Sequence, residues 1–258
     1  MSRPVCVDSY ALITADGLRS PAGRVPWDAD QQGPEDVRRA QVLQRIHPGF
    51  GKLALADRLA FAAASLMLSA CEAPPDEHTG ICIALPFGSL STDLRYNESV
   101  AAGPPSPALF SATLPSSTVS DIAIIHKLKG PNRVFAHGGV SGLYALESAV
   151  HLIERGLTDT MLVLWVAALE EQDRESPHVP LSQRAIPNEA HAVLLRAAPG
   201  QLLDMRCSFA LEPCRGGVSS GDGTDYFRLF ANAVAQGRSE VIEVRTADCT
   251  GRIELTRG

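Results

Sequence analysis

The tightest constraint on this chain is the stretch from Gly130 to Val166, which reads as strand, glycine turn, helix, strand. Arg133 to His137 is short and β-prone, and Gly138-Gly139-Val140-Ser141-Gly142 packs three glycines into one turn. Leu143, Leu146, Ala149, Val150 and Ile153 then recur with the 3.6-residue period of a helix carrying one buried stripe. Gly156 stands where a left-handed cap closes a helix, and Met161 to Val166 is apolar throughout, as suits a strand covered on both faces. One βαβ unit of this kind points to a mixed α/β architecture. The same turn also frames a chemical question. The unpaired N–H groups of a helix's first turn favour anions and oxyanions, and a nucleophile seated among them is activated by their field.

The chain has 258 residues, 45% of them hydrophobic, enough to bury a substantial core as one large domain or two small ones. Its net charge of −6 argues against nucleic acid, which requires a basic face. The six cysteines, Cys6, Cys71, Cys82, Cys207, Cys214 and Cys249, form no CxxC pair and sit in apolar runs, so they read as buried thiols and not as zinc ligands. The longest apolar run, Leu59 to Cys71, is broken by Ser65 and Ser69 and is too short to span a bilayer. With no charged lead and apolar signal core at the N-terminus, the expectation is a cytoplasmic protein without a membrane span.

Taken in order, Val5 to Thr14 reads as an opening strand and Ala15 to Asp36 as a long surface loop, with Trp27 docking it onto the body. Ala54 to Cys71 is a central helix whose alanines permit close packing. Gly80 to Leu85 is a buried strand, opening into the turn Pro86 to Thr92, and Asp93 to Ala102 is a helix. Gly103 to Pro107 is extended. A further helix follows Pro115, with Ser116, Ser117 or Thr118 as candidate caps, and Gly130-Pro131 ends it. After the central unit, Glu170 to Asn188 is a charged loop, Ala190 to Leu195 and Met205 to Leu211 are strands, and Gly216 to Gly223 is a mobile connection. Thr224 to Gln236 is an amphipathic helix, and Glu240 to Val244 and Arg252 to Leu255 read as final strands, candidates for pairing with each other.

Residues 75 to 196 resemble the β-ketoacyl synthases of fatty-acid and polyketide assembly. The resemblance is carried by Ser106-Pro107-Ala108-Leu109-Phe110, Leu114-Pro115-Ser116-Ser117, Leu128-Lys129-Gly130-Pro131, Gly142-Leu143-Tyr144-Ala145-Leu146, Asp159-Thr160-Met161-Leu162-Val163 and Asn188 to Leu195. It implies a thiolase-like fold with layered sheet and helices. Residues 1–200 would then be a ketosynthase N-terminal-half domain, and 201–258 a short C-terminal extension packed on it, in place of a full second half.

The departures from that family are as informative as the match. Such synthases carry a nucleophilic cysteine in a Thr-Ala-Cys-x-Ser-Gly turn. Aligned on Ser141-Gly142, its place falls on Gly139, which has no side chain to acylate. The family also takes two histidines and a lysine from its C-terminal half, whereas His191 and Lys129 are the last of their kinds here. Leu164-Trp165 stands where a Gly-Gly pair is common. A Claisen condensation needs a thiolate and groups that drive decarboxylation and hold the enolate oxygen, so the resemblance implies a catalytically silent chain-length factor. Such a subunit pairs with an active ketosynthase as a heterodimer and shapes the tunnel for a growing acyl chain, as in aryl polyene and other type II polyketide systems. An acyl carrier protein reaches it through the complex, and no cofactor is implied.

By the same resemblance, Leu109, Phe110, Thr113 and Leu114 are tunnel or partner-contact residues. The strand Arg133 to His137, including Phe135, with Gly138 and Gly139 behind it, lies at the partner interface. Two other readings remain open at this point: an acyl hydrolase or transferase using Ser141 and His137 at the helix N-terminus, and a stand-alone acyl-binding scaffold.

Overall fold

A computed structural model of the chain describes residues 3–43, 49–71, 73–179, 181–197, 205–213, 226–245 and 249–257. In chain order the strands are β1 (Val5–Thr14), β2 (Gly17–Ser20), β3 (Gly23–Val25), β4 (Gly80–Ala84), β5 (Asn132–Phe135), β6 (Thr160–Ala167), β7 (Glu189–Arg196), β8 (Met205–Pro213), β9 (Glu240–Arg245) and β10 (Cys249–Arg257). The helices are α1 (Arg39–Val42), α2 (Leu55–Ser69), α3 (Leu90–Ala102), α4 (Pro107–Ala112), α5 (Ser116–His126), α6 (Ser141–Glu154), α7 (Leu181–Arg184) and α8 (Tyr226–Gln236). All ten strands join one sheet in the order β5-β4-β6-β7-β1-β8-β10-β9, with β2 beside β1 and β3 beside β2. β5, β4 and β6 run parallel, and the ladders from β6 to β9 are antiparallel.

The apolar run at β6 lies at the middle of this arrangement because helices cover both of its faces. Side chains alternate along a strand. Leu162, Leu164 and Val166 therefore join the core beneath α2 and α5, while Met161, Val163, Trp165 and Ala167 join the core beneath α6 and α8. On the first side, α2 lays Ala60, Ala62, Ala63 and Ala64 fully buried against β1, β6 and β7. On the second, α6 buries Leu143, Leu146, Ala149, Leu152 and Ile153. Each of those leucines and isoleucines contributes about 1.5–3 kcal/mol relative to exposure. Gly156, at φ 70°, closes α6, and Leu157 N–H donates back to Leu152 C=O at 3.0 Å, the hydrogen-bond pattern of a Schellman cap.

Several local expectations need correction. Residues 15–36 are not a loop throughout: β2 and β3 form an antiparallel meander on β1, anchored where Trp27 Nε1 donates to Thr14 C=O at 3.0 Å. Glycine and polar residues hid these strands, since only Leu18 and Ser20 face inward together. The third helix starts at Leu90, before Asp93, and α4 begins at Pro107, the last residue of the stretch read as extended, so that Gly103 to Ser106 are non-helical as expected. There Pro107 occupies a first-turn position and Ser106 Oγ accepts from Leu109 N–H. None of Ser116, Ser117 and Thr118 caps α5 through its side chain; Pro115 holds that position. Helix α5 stops at Lys127, which adopts a left-handed conformation (φ 58°), before Gly130-Pro131 is reached. Short helical turns at Glu171–Asp173 and α7 interrupt the charged loop. The last two strands do pair, β9 with β10. The Gly216 to Gly223 connection lies outside the described residues.

Candidate functional site

The glycine turn leads from β5 into α6 as a single 3-10 turn, Gly138–Val140. Gly138 takes φ 60°, a region that disfavours side chains, whereas Gly139 is not among the positive-φ glycines. The backbone therefore explains glycine at 138 and leaves glycine at 139 unexplained by conformation. Ser141 is fully buried, and its hydroxyl is committed locally: it accepts from His137 N–H at 2.7 Å and donates to Gly138 C=O at 2.8 Å. The His137 ring is exposed and meets Tyr144 edge-on at 6.0 Å. With its Oγ locked into the turn, Ser141 has the surroundings of a capping residue and not of an activated nucleophile. That arrangement speaks against the Ser141–His137 hydrolase.

Next to the turn lies an open cavity of about 540 Å³, lined by Phe87, Ser89, Asp93, Thr113, Gly138 and His178 among others. It sits beyond the carboxyl end of β4, where open α/β sheets place ligand crevices. Ser89 Oγ joins its walls, meeting the Asp93 carboxylate at 3.1 Å and Thr113 C=O at 2.5 Å. Burial pushes the Asp93 carboxyl up from its ordinary range, partly offset by the Ser89 hydroxyl.

Of the residues singled out from the sequence, Thr113 and Gly138 line this cavity together. The others do not. Leu109 is half-buried. Phe110 and Leu114 are 56% and 54% exposed, with the Phe110 ring tilted against Tyr96 at 5.6 Å between centroids. Arg133 and Phe135 belong to β5, at one end of the sheet. Arg133 donates to Ser148 Oγ at 2.8 Å, and Phe135 is half-buried against the α6 core. Sequence reading missed Phe87, Asp93, His178 and Val179. The first two fall in what looks like an ordinary polar turn and helix. The last two fall in a charged loop about forty residues beyond the turn, and no periodicity links them to it.

Among the described residues, β5 has a neighbouring strand on one side only. Helix α5 packs against β5, and the outward stripe of α5 ends in Ile124, 71% exposed. Unpaired strand edges with apolar flanks are templates for another chain. Of the described cysteines, Cys6 and Cys82 are buried and Cys71 is half-buried, and burial holds the Cys82 thiol up at about 12. Neither Cys6 nor Cys82 is a nucleophile candidate. Among the described residues no cluster of ligating side chains suits a metal, and no helix is long and apolar enough to cross a membrane.

Solved structures share this architecture. One is the complex of a ketosynthase (ApeO) with its chain length factor (ApeC) from Xenorhabdus doucetiae, matched at TM-score 0.71 and 16% identity over 97% of this chain and 99% of that one. The fold is that of the ketosynthases. A second is the ishigamide ketosynthase/chain length factor, at TM-score 0.64 and 20% identity over 81% of this chain and 67% of that one. A third is a type II polyketide acyl carrier protein in complex with its ketosynthase bound to the hexaketide (AntDE:AntF), at TM-score 0.70 and 12% identity over the full length of both chains. The sequence itself matches no family model and no curated protein.

Proposed function

We propose that this chain is a non-catalytic chain-length factor that forms a heterodimer with an active β-ketoacyl synthase and shapes the tunnel receiving a polyene or polyketide chain. What supports the reading is the turn: the resemblance aligns the family's nucleophile with Gly139, and the hydroxyl of the neighbouring Ser141 is buried and bonded within the turn. The scaffold keeps the strand–turn–helix frame and lacks the group that would be acylated. In this reading the carrier protein delivers its acyl chain to the partner's thiol, and this subunit supplies wall.

The interface in this reading is the outer edge of β5, from Arg133 through His137, with Phe110, Leu114 and Ile124 as apolar surface beside it. In this reading Leu109, Phe110, Thr113 and Leu114 are the side chains that meet an apolar tail in the assembled complex and stop its growth. Residues 201–258 are read as an extension of the same body, consistent with β8, β10 and β9 continuing the sheet from β1. The protein is placed in the cytoplasm with its partner.

The test is co-expression with a candidate ketosynthase, measuring complex formation and product length. A stable one-to-one complex whose products lengthen when Phe110 and Leu114 are replaced by alanine supports the reading. Thioesterification of the purified chain alone, followed by malonyl extension, overturns it.

A further inference from the structure

The charged loop between β6 and β7 carries more internal bracing than a connection needs. Its base is closed where Leu169 N–H donates to Asn188 Oδ1 at 2.8 Å and Asn188 Nδ2 donates back to Leu169 C=O at 3.0 Å. Within it, two arginines grip each other's segment. Arg174 donates through Nη1 to the carbonyls of Arg184 and Ile186, at 3.0 and 2.9 Å, and through Nε to Glu171 at 2.9 Å. Arg184 donates to the carbonyls of Ser176 and Val179, at 3.3 and 3.4 Å, and to Glu175 Oε2 at 2.6 Å. Both arginine side chains are partly buried, which shields their bonds from competing water. Glu170 N–H, donating to Ser91 Oγ at 3.1 Å, fastens the loop to the start of α3.

A guanidinium that commits its donors to backbone carbonyls fixes the path of the chain, where one facing solvent only adds charge. Connections this long inside a compact body are usually binding surfaces or lids. What the bracing holds is the pair His178 and Val179, which line the 540 Å³ cavity beside Gly138. Val179 is 2% exposed, and its own N–H donates to Ser176 C=O at 3.0 Å. Pro86, Phe87, Leu90 and Pro115 also line the cavity, so Val179 completes an apolar wall drawn from three separate segments. Phe110 and Leu114, by contrast, line no part of it.

We propose that this loop is a fixed strap that limits the length of the acyl chain, with Val179 as a residue the tail meets and Arg174 and Arg184 as positioning residues that hold it there. The inference rests on the chain-length-factor reading and adds a second stop to it, on the cavity side of the turn. An apolar wall admits a growing tail until a packed side chain blocks the next unit, and in a close-packed wall one methylene is felt. How sharply growth stops then depends on how firmly the wall is held, which is the arginines' part.

The test is co-expression with a candidate ketosynthase, measuring product length by mass spectrometry for wild type, Val179→Ala, Val179→Leu and Arg184→Gln. Val179→Ala should lengthen the products and Val179→Leu shorten them, each by about one two-carbon unit. Arg184→Gln should keep the mean length and broaden the distribution. Opposite shifts from one position do not arise from a general loss of stability. In the chain alone, hydrogen exchange over residues 173–179 should be about ten-fold faster in Arg184→Gln than in wild type. A complex whose product lengths are unchanged in both Val179 variants, shifts of the same sign in both, or equal exchange in wild type and Arg184→Gln overturns the strap and leaves the heterodimer standing. No complex from the wild-type chain removes the chain-length-factor reading, and this stop falls with it.

Discussion

The outer edge of β5 has a register that can be worked out, and with it a perturbation that separates assembly from folding. Ile81 N–H donates to Pro131 C=O at 2.9 Å and Leu85 N–H to Phe135 C=O at 2.8 Å. Backbone groups alternate in direction along a strand, so Pro131, Arg133 and Phe135 point theirs at β4, while Asn132 and Val134 point theirs outward. A partner strand continuing the sheet antiparallel around a pseudo-two-fold axis must keep both faces of the sheet in step. With the axis at Val134, the two central residues bond each other, and Asn132 bonds opposite the counterpart of residue 136, about six hydrogen bonds in all. Axes at Arg133 or Phe135 yield about four. Val134→Pro deletes a donor from the central pair and none from the ladder to β4. A backbone hydrogen bond contributes about 0.5–1.5 kcal/mol net, and the proline ring adds a steric cost at the same spot, so the complex should weaken by about 1–3 kcal/mol, roughly 5- to 150-fold in Kd. Arg133→Pro, one residue earlier, removes a donor aimed at β4 and should lower the melting temperature instead. The assay is titration of the ketosynthase with each variant, beside thermal unfolding of the variants alone. Unchanged affinity for Val134→Pro, or a loss of melting temperature as large as that of Arg133→Pro, refutes the register.

Three further outcomes follow from particular side chains. Asp57 sits between α2 and α5, accepting a hydrogen bond from Thr118 Oγ1, and burial raises its pKa above the ordinary carboxylate value. A raised folded-state pKa means that its stabilising protonation is fully present only below the unfolded value and is lost as pH rises through the folded one. At neutral pH the charge is a burden, so Asp57→Asn, which keeps an acceptor for Thr118, should raise the melting temperature by a few degrees near pH 7 and flatten its fall with pH, read by calorimetry. Trp165 is fully buried with its ring 5.3 Å from that of His191. Trp165→Gly should cost about 3–5 kcal/mol or more in urea unfolding through the cavity it leaves. The Cys82 thiol, held at about 12 by burial, should stay unalkylated by iodoacetamide at pH 8 in the native protein and react on unfolding, as read by peptide mass.

How much of this was legible in the sequence depends on the range over which each signal acts. The βαβ unit was plain because its information is local: a 3.6-residue stripe on α6, a glycine cap at Gly156 and a doubly covered strand at β6. Strands β2 and β3 were missed because a short meander on a sheet edge buries too few side chains to alternate visibly, and β3 is exposed throughout. The cavity beside Gly138 was half-visible. The turn announced itself by its glycines, whereas His178 and Val179 reach it by the path of a loop that leaves no periodic trace.

Gly138 and Gly139 look alike in the sequence and differ in the structure, and that difference bears on how a silent subunit can arise from a catalytic scaffold. At Gly138 the backbone demands glycine, so that residue belongs to the fold. At Gly139 no positive φ demands it, so exchanging a side chain for hydrogen there leaves the turn and the start of α6 in place. Ser141 still ties the turn together through His137 N–H and Gly138 C=O. Trp165 belongs to the same layer as Leu143 and Leu146 of α6 and fills it with the largest side chain available, where the resemblance leads one to expect glycine. In the chain-length-factor reading, loss of the nucleophile and filling of the layer behind its helix would thus be separable changes. Gly139→Ala should leave stability within about 0.5 kcal/mol, as surface-like substitutions do, while Trp165→Gly should not. A large loss at Gly139→Ala would mean that the second glycine is held by packing, and that its coincidence with the nucleophile's position says nothing about lost chemistry.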